Sequence, residues 1–459
     1  MRLNLDLIAR PFVSFSERYY PDPFVFAIGL TGLTFMMAVV LTPTTAAEAL
    51  SLWGNGLTNF LGFAMQICIV LVGAHALAHT DLVRRGIDAI ARLPRSGPEA
   101  YGLICLLAGT ASMIAGALGL IVGALGAVAI AREGREKGIS LHFPLLVASA
   151  YGGFVIWHMG YSGTAPLAVA TPGHALESVM GILPVSETML TGWNLGLAAF
   201  TLVAVAFVCS RLGPSEDRIV TLENAALLGE DGGIVNESAS AEAKLSTSAT
   251  TPGDRLDQAR ILSVGLGLLF AVFLVTWFAE RGLQLTLNIV NWSFLAAGLL
   301  LARSPKHYLG LINNASRTLG PVVLQYPLYA AVVALITQTE LVGLFSDGFV
   351  AISTEGTLGF WAFVSGGVLN FFVPSGGGQW AVQGPIFLEA ASELGVSNSV
   401  IVMGVAYGDQ WTNMIQPFWA LPLLAIVELD ARAIMGYCFV IFLTSFVCLG
   451  GGMLLLGAG

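Results

Sequence analysis

The sequence predicts an all-α, polytopic membrane protein made of two inverted repeats, each with a re-entrant hairpin and broken helices. Three observations predict it: apolar runs of membrane-spanning length, an internal repeat at a nearly fixed offset, and the spacing of Lys and Arg along the chain. Of 459 residues, 56% are apolar and 11% charged, and the mean hydropathy is +0.78. A soluble domain solvates its surface with charge, so this balance fits a chain whose solvent is mostly lipid. Runs of about 20 apolar residues match a hydrocarbon core about 30 Å thick. The clearest are 23–41, 61–78, 186–210, 261–279, 285–302, 322–337 and 434–456.

Residues 1–20 mix Arg2, Asp6, Arg10, Glu17 and Arg18 with Leu, Ile and Phe. That pattern predicts an interfacial amphipathic helix rather than a cleavable signal. Much of the net charge of −9 comes from one loop, and no basic patch of the kind nucleic acid requires is present. Cys68, Cys105, Cys209, Cys438 and Cys448 lie in apolar stretches at no metal-ligand spacing. They read as small core hydrophobes, and neither a metal site nor a bound cofactor is expected.

Two landmarks recur. Gln66 and Thr80-Asp81-Leu82-Val83 reappear 259 positions later as Gln325 and Thr339-Glu340-Leu341-Val342. Ala150-Tyr151-Gly152 with Pro166-Leu167 reappears 256 positions later as Ala406-Tyr407-Gly408 with Pro422-Leu423. The repeats therefore span 21–211 and 281–459. Between them, 212–258 is a polar, cytoplasmic, mobile loop, almost low-complexity over 238–251, and 259–280 is a connecting transmembrane helix. This odd helix lets the second repeat enter the membrane from the opposite side.

Cationic residues test that topology, because cytoplasmic loops retain Lys and Arg. Arg2, Arg10 and Arg18 place the N-terminus in the cytoplasm. Arg84, Arg85, Arg92 and Arg95 precede the stretch 101–131, and Arg132, Arg135 and Lys137 follow it. With both flanks basic, this stretch enters and leaves on the cytoplasmic side as a re-entrant hairpin. Arg211, Arg303 and Lys306 are inside, whereas 339–431 contains no basic residue, so its hairpin near 356–394 dips in from outside. Nine crossings, two hairpins and a periplasmic C-terminus result.

Broken helices in lipid are tolerated only where protein or a water-filled cavity satisfies the freed backbone, so they point to a transport site. Near the second hairpin tip, Pro374 frees the carbonyl of Asn370, and Gly376, Gly377 and Gly378 let the chain reverse. A helix restarting near Gln379 aims N–H groups and a positive dipole end inward, where Ser375 adds a hydroxyl donor. This suits a carboxylate, and Gly377→Val should block its approach. Trp380 and the amide of Gln383 complete the polar flank. A tight turn between packed helices is the bland alternative. No Gly-Lys-Ser/Thr follows, so the run is not a nucleotide-binding loop.

Downstream, Asp409, Asn413 and Gln416 share one helical face, with Gln410 and Trp411 beside them. Pro417 frees the carbonyl of Asn413, an acceptor suited to Na⁺. Asp409 is the only acid between Glu393 and Glu428, and an intramembrane acid is a functional candidate, here for Na⁺ or a proton. A structural acid satisfied by neighbouring donors is the alternative. In the first half, Tyr161, Ser162, Gly163 and Thr164 form the equivalent break, with His158 as proton carrier or as a satisfied core histidine. Gly116 and Gly119 at the first hairpin tip offer backbone only. His75 and His79 read as interfacial. Since neither broken pair contains Lys or Arg, a desolvated carboxylate must be neutralised by helix ends, amides, hydroxyls or a co-bound cation.

Several of these segments are similar to the bacterial short-chain fatty acid transporter family, which includes acetoacetate and butyrate uptake proteins. The resemblance rests on Pro21-Asp22-Pro23 with Phe26-Ala27, on 170–173, on Val373 through Gly378, and on Ala406 through Trp411 with Gln416 through Pro422. It implies an ion-transporter-type carrier whose hairpins and broken helices form a mobile domain. Two places depart from the pattern: Ala115-Gly116 stands where members carry Asn-Trp, and Trp157-His158-Met159 replaces a glycine-rich stretch.

The expected function is inner-membrane carriage of a small monocarboxylate by symport with a coupling cation, in an elevator-like motion. The expected partners are that substrate, the cation and the bilayer, with a homodimer as an option for the assembly. A dicarboxylate carrier or a cation/proton exchanger is the nearest alternative. An enzyme is disfavoured, since no nucleophile–base set, zinc motif or carboxylate cluster converges.

Overall fold

A computed structural model describes residues 5–174, 176–224, 251–282, 286–316 and 319–457. Residues 225–250, most of the expected mobile loop, lie outside the described residues. Every regular element among the described residues is helical. The first part of the chain forms α1 (Asp6–Tyr19), α2 (Pro23–Leu41), α3 (Ala46–Gly56), α4 (Leu61–Ala78), α5 (Asp81–Ala91), α6 (Gly97–Ile114) and α7 (Gly116–Glu136). Then come α8 (Phe143–Gly153), a 3-10 turn (Phe154–Met159), α9 (Thr164–Val169), α10 (Glu177–Met180) and α11 (Gly192–Cys209). After α12 (Pro252–Asp257) and α13 (Arg260–Arg281) follow α14 (Leu287–Leu301), α15 (Pro305–Ser316), α16 (Gly320–Gln338), α17 (Leu341–Val350) and α18 (Leu358–Asn370). The chain closes with α19 (Gly376–Leu394), α20 (Asn398–Thr412), α21 (Ala420–Val427) and α22 (Ala431–Gly457).

Among the described residues, seven helical stretches are long and apolar enough to cross a membrane. An eighth is bent by 63° between Val323–Gln338 and Leu341–Val350. Their lipid-facing character is visible in burial. Only 11% of the most apolar window of α13 is covered by protein, whereas residues 143–160 are buried throughout. The element order also recurs. Long α4, short α5, the α6–α7 pair and broken α8–α9 have counterparts in α16, α17, the α18–α19 pair and broken α20–α21. The sequence landmarks Thr80 and Thr339 both sit at the break before the short helix.

Polar contacts gather the charged ends. The Lys137 ammonium donates to the carbonyls of Arg92 at 2.5 Å and Pro94 at 3.3 Å, and Arg92 pairs with Glu133 at 3.6 Å. The start of α6 and the end of α7 thus lie at one end of the molecule, as a re-entrant hairpin requires. Arg135 pairs with Glu223, and Phe143 N–H donates to Val220 O at 2.8 Å, which brings the segment after α11 to the same end. Asp6, itself buried, binds Arg10 at 2.9 Å and Arg218 at 2.5 Å. The hydroxyl of Ser16 donates to Arg432 O at 2.9 Å, docking α1 on the start of α22. Cysteines introduced at Arg92 and Arg135 should therefore react from one and the same side of the membrane, which their basic flanks predict to be the cytoplasm. The five native cysteines are buried and will not confuse the readout. Labelling of position 135 from outside would make 101–131 an ordinary span.

Small residues let the helices around the centre approach closely. A Cβ on Gly408 would stand 2.1 Å from Phe363 O, and one on Gly404 2.8 Å from Gly359 O, so α20 lies backbone-to-backbone on α18. A Cβ on Gly153 would meet Cys105 O at 2.5 Å, which presses α8 onto α6 in the same way. Contacts this tight fix where α8 and α20 end. Both end at the polar centre.

Candidate carboxylate site between the broken helices

α18 stops at Asn370 because Pro374 has no N–H to continue it, and the chain turns through Phe371–Ser375. The helix then restarts at Gly376, three residues before the expected Gln379. The correction changes what the glycines do. None of Gly376, Gly377 and Gly378 has positive φ; they form the first turn of α19 rather than the reversal. Their value is close approach. A Cβ on Gly376 would lie 2.2 Å from His158 Cε1, 2.7 Å from its Nε2 and 2.8 Å from Thr164 Oγ1. At Gly377 the nearest atom, Thr164 Cβ, would be at an ordinary 3.7 Å, so the tight position is Gly376 and not Gly377. Among the described residues nothing accepts from the N–H groups of these glycines, and the Ser375 side chain does not cap them. Three backbone donors without an acceptor therefore open α19, whose first residue packs on the His158 ring.

His158 lies in the 3-10 turn that follows α8, fully buried. Its Nε2 is 3.0 Å from Oδ1 of Asp409, also fully buried, and its backbone N–H donates to Oε1 of Gln410 at 2.9 Å. Both contacts join the first half of the chain to the second. One turn further along α20, the Asn370 amide donates to Thr412 Oγ1 at 2.9 Å and to Asn413 Oδ1 at 2.7 Å. The carbonyl of Asn413, freed by Pro417 as expected, accepts the Tyr151 hydroxyl at 2.6 Å. The first hairpin tip joins through Gly116, whose N–H donates to Ser162 Oγ at 2.9 Å and whose Cβ would meet the Trp157 ring at 2.8 Å.

The expected residues thus divide. Asn370, Gly376, His158, Thr164, Asp409, Gln410 and Asn413 converge, with Gly377, Gly378 and Ser375 in the same turn. Gly163 supports the His158 backbone, where a Cβ would lie 2.3 Å from His158 O. Gln379 donates to Gly366 O and Gln383 accepts from Ser365 at 3.2 Å, so both tie α19 to α18. Trp380 packs with Ala165, Val169 and Phe387 in a separate apolar cluster. Trp411 stacks on Phe442 at 4.5 Å and donates to its carbonyl at 3.0 Å, facing α22. Gln416 turns back to accept from Phe418 N at 3.0 Å. Gly119 serves the contact between α6 and α7, where a Cβ would overlap Ser112 Oγ, and Tyr161 N–H donates to Met113 O at 2.7 Å.

Other residues at the centre carry no obvious mark in the sequence. Thr412 relays from Asn370 to Gly367 O at 2.9 Å. Tyr407 donates to Asn194 Oδ1 at 2.8 Å, so the repeated Ala-Tyr-Gly landmark places each tyrosine hydroxyl on the opposite half. That repeat is the signal by which they were detectable. Trp157 stacks on Phe154 at 5.4 Å and meets Trp419 at 5.4 Å, and Phe418 and Phe63 extend this aromatic wall. Buried polar atoms remain beside it: both ring nitrogens of His158, both oxygens of Asp409, Asn370 Oδ1, Gln410 Nε2 and Asn413 Nδ2 make no hydrogen bond among the described residues, so His158 and Asp409 meet as an ion-pair contact without hydrogen-bond alignment. An apolar cavity of about 230 Å³ lies elsewhere, between α4, α5 and α7, and touches none of these groups.

The family model described as short chain fatty acid transporter matches residues 4–456. A protein of Escherichia coli (strain K12) named for short-chain fatty acid transport is 37% identical, covering 95% of this chain and 97% of its own. One of Haemophilus influenzae (strain ATCC 51907 / DSM 11121 / KW20 / Rd) with the same name is 34% identical, covering 94% and 95%. Among solved structures, the YdaH transporter of Alcanivorax borkumensis superposes with a TM-score of 0.39 at 17% identity, covering 95% of this chain and 98% of its own. MtrF of Neisseria gonorrhoeae gives 0.41 at 15%, covering 98% and 97%. Superpositions this loose say nothing about the site.

Proposed function

The chain belongs to the short-chain fatty acid transporter family, and we propose on that premise that it carries short-chain monocarboxylates, such as butyrate or acetoacetate, by cation-coupled symport. The observation that carries this reading is the first turn of α19, whose three N–H groups are unengaged and whose Gly376 packs against a buried imidazole. Such a turn suits one carboxylate. The aromatic wall of Phe154, Trp157 and Trp419 beside it suits a short apolar tail. No Lys or Arg occurs in the broken segments, so a second carboxylate would have no counter-charge. The recurring element order supports two repeats of opposite orientation, and the shared basic end supports a cytoplasmic N-terminus in an inner membrane. This arrangement supports an elevator-like motion of the two hairpins with the broken helices.

The test is uptake of labelled acetate, butyrate, acetoacetate and succinate into proteoliposomes, corrected with protein-free vesicles because weak acids also permeate. Saturable uptake of the monocarboxylates with counterflow is expected, and the substrate should emerge chemically unchanged. Preference for succinate would favour a dicarboxylate carrier. Cation movement with no carboxylate dependence would favour an exchanger.

A further inference from the structure

We propose that the coupled ion is a proton taken up by the buried His158–Asp409 pair, with the substrate carboxylate as the counter-charge of the imidazolium that results, so that one proton moves with each monocarboxylate and transport is electroneutral. This rests on the reading of the α19 turn as the carboxylate site, and the experiment below separates the two.

His158 and Asp409 are both fully buried at 3.0 Å, and among the described residues each is the other's only ion-pair partner. Titratable groups on the surrounding elements are neutral hydroxyls and thiols. They are Tyr151 on α8, Tyr407 on α20, Tyr101 and Cys105 on α6, Cys209 on α11 and Tyr161 in the loop before α9. Charged residues on the same helices sit toward the far ends: Glu99 on α6, Arg132 to Glu136 on α7, Glu389 and Glu393 on α19. At a rise of about 1.5 Å per residue, these lie roughly 20 Å or more along their helices from the central breaks. The pair must therefore settle its own charge.

With one shared proton the pair is neutral, the state a buried site favours. A carboxylate arriving at the α19 turn adds one negative charge beside His158. A second proton restores neutrality, leaving an imidazolium, a protonated Asp409 and a carboxylate. On release, the carboxylate and that proton depart together, and the pair returns with the proton it began with. Charge and protons balance over the cycle.

Sodium is the competing ion. Both Asp409 oxygens and Asn370 Oδ1 are buried without a hydrogen-bond donor, whereas Asn413 Oδ1 and Thr412 Oγ1 accept from Asn370 and Asn413 O accepts from Tyr151. What favours the proton is the imidazole 3.0 Å from that carboxylate, and the exchange of choline for sodium below tests it.

The count separates the two residues. In His158→Gln, Asp409 is already protonated in the neutral empty site and nothing remains to accept a further proton. In Asp409→Asn, His158 starts neutral and can still accept one. The measurement is calorimetric titration of detergent-solubilised protein with acetoacetate in buffers of differing ionisation enthalpy, which counts protons bound per substrate. Wild type should take up about one proton in mildly alkaline solution, with no change when choline replaces sodium. His158→Gln should bind more weakly with no proton uptake. Asp409→Asn should keep the uptake, since asparagine stands in for the protonated Asp409 of the loaded site. Binding by wild type without proton uptake, or undiminished uptake in His158→Gln, overturns the proposal. If His158→Gln does not fold, loss of proton uptake at every pH in Asp409→Asn overturns it instead. If no monocarboxylate binds to wild type, the carboxylate-site reading itself has failed and this inference falls with it.

Discussion

Gly376→Val is expected to abolish substrate binding while Gly377→Ala is nearly silent. A single Cβ at position 376 would sit 2.2 Å from His158 Cε1 and 2.8 Å from Thr164 Oγ1, and valine adds two methyl groups to that overlap. Overpacking of this kind costs about 1–3 kcal/mol where neighbours can shift. Here the neighbour is bound to Asp409 at 3.0 Å, and separating a buried pair costs roughly 3–5 kcal/mol more. Either the imidazole leaves the carboxylate or the first turn of α19 leaves the imidazole. Both outcomes remove the proposed site, so affinity should fall by about 100-fold or more. At Gly377 the same Cβ would find its nearest atom at 3.7 Å, and a change below about tenfold is expected. Isothermal titration of both variants checks the contrast. Equal effects would mean that the α19 turn is only a helix junction.

Asn370→Leu should damage transport and fold stability together, because this amide holds the two broken helices in register. Its two donor contacts, at 2.9 and 2.7 Å, reach Thr412 and Asn413 at the end of α20. Leucine leaves those oxygens buried and unmatched, at about 1–3 kcal/mol each. The residue is fully buried, so water cannot readily replace the lost donor. The thermal midpoint in detergent should fall by several degrees, and the maximal transport rate should fall with it. A double-mutant cycle with Asn413→Leu isolates the contact, since the pair should be strongly non-additive. Additive losses would show that Asn370 acts through α18 alone.

How much of this was legible in the sequence depends on the distance over which each feature is decided. Pro374 and Pro417 end α18 and α20 close to where the missing N–H dictates, and the apolar runs become long helices. The basic clusters around 84–95 and 132–137 do meet at one end, because a short hairpin must return to its starting face. The sequence places the restart of the helix near Gln379, whereas it lies at Gly376. Conformational freedom at glycine suggests a reversal, whereas these glycines serve a side chain arriving from elsewhere.

The sequence by itself determined the class of molecule, the repeated order of its helices and the positions of the breaks. Those follow from local chemistry: hydropathy over about 20 residues, the missing proline N–H, and charge at the ends of spans. Only the tertiary structure decided that His158 meets Asp409, since they are 251 positions apart and each alone reads equally well as a satisfied core residue. It also turned Trp411 toward Phe442 and drew Trp157 and Trp419 together, although every one of these tryptophans flanks a break. Which face of a helix looks inward at a break depends on the glycine contacts that set its depth and rotation. Those contacts, Gly408 on Phe363 and Gly153 on Cys105, exist only once α20 lies on α18 and α8 on α6.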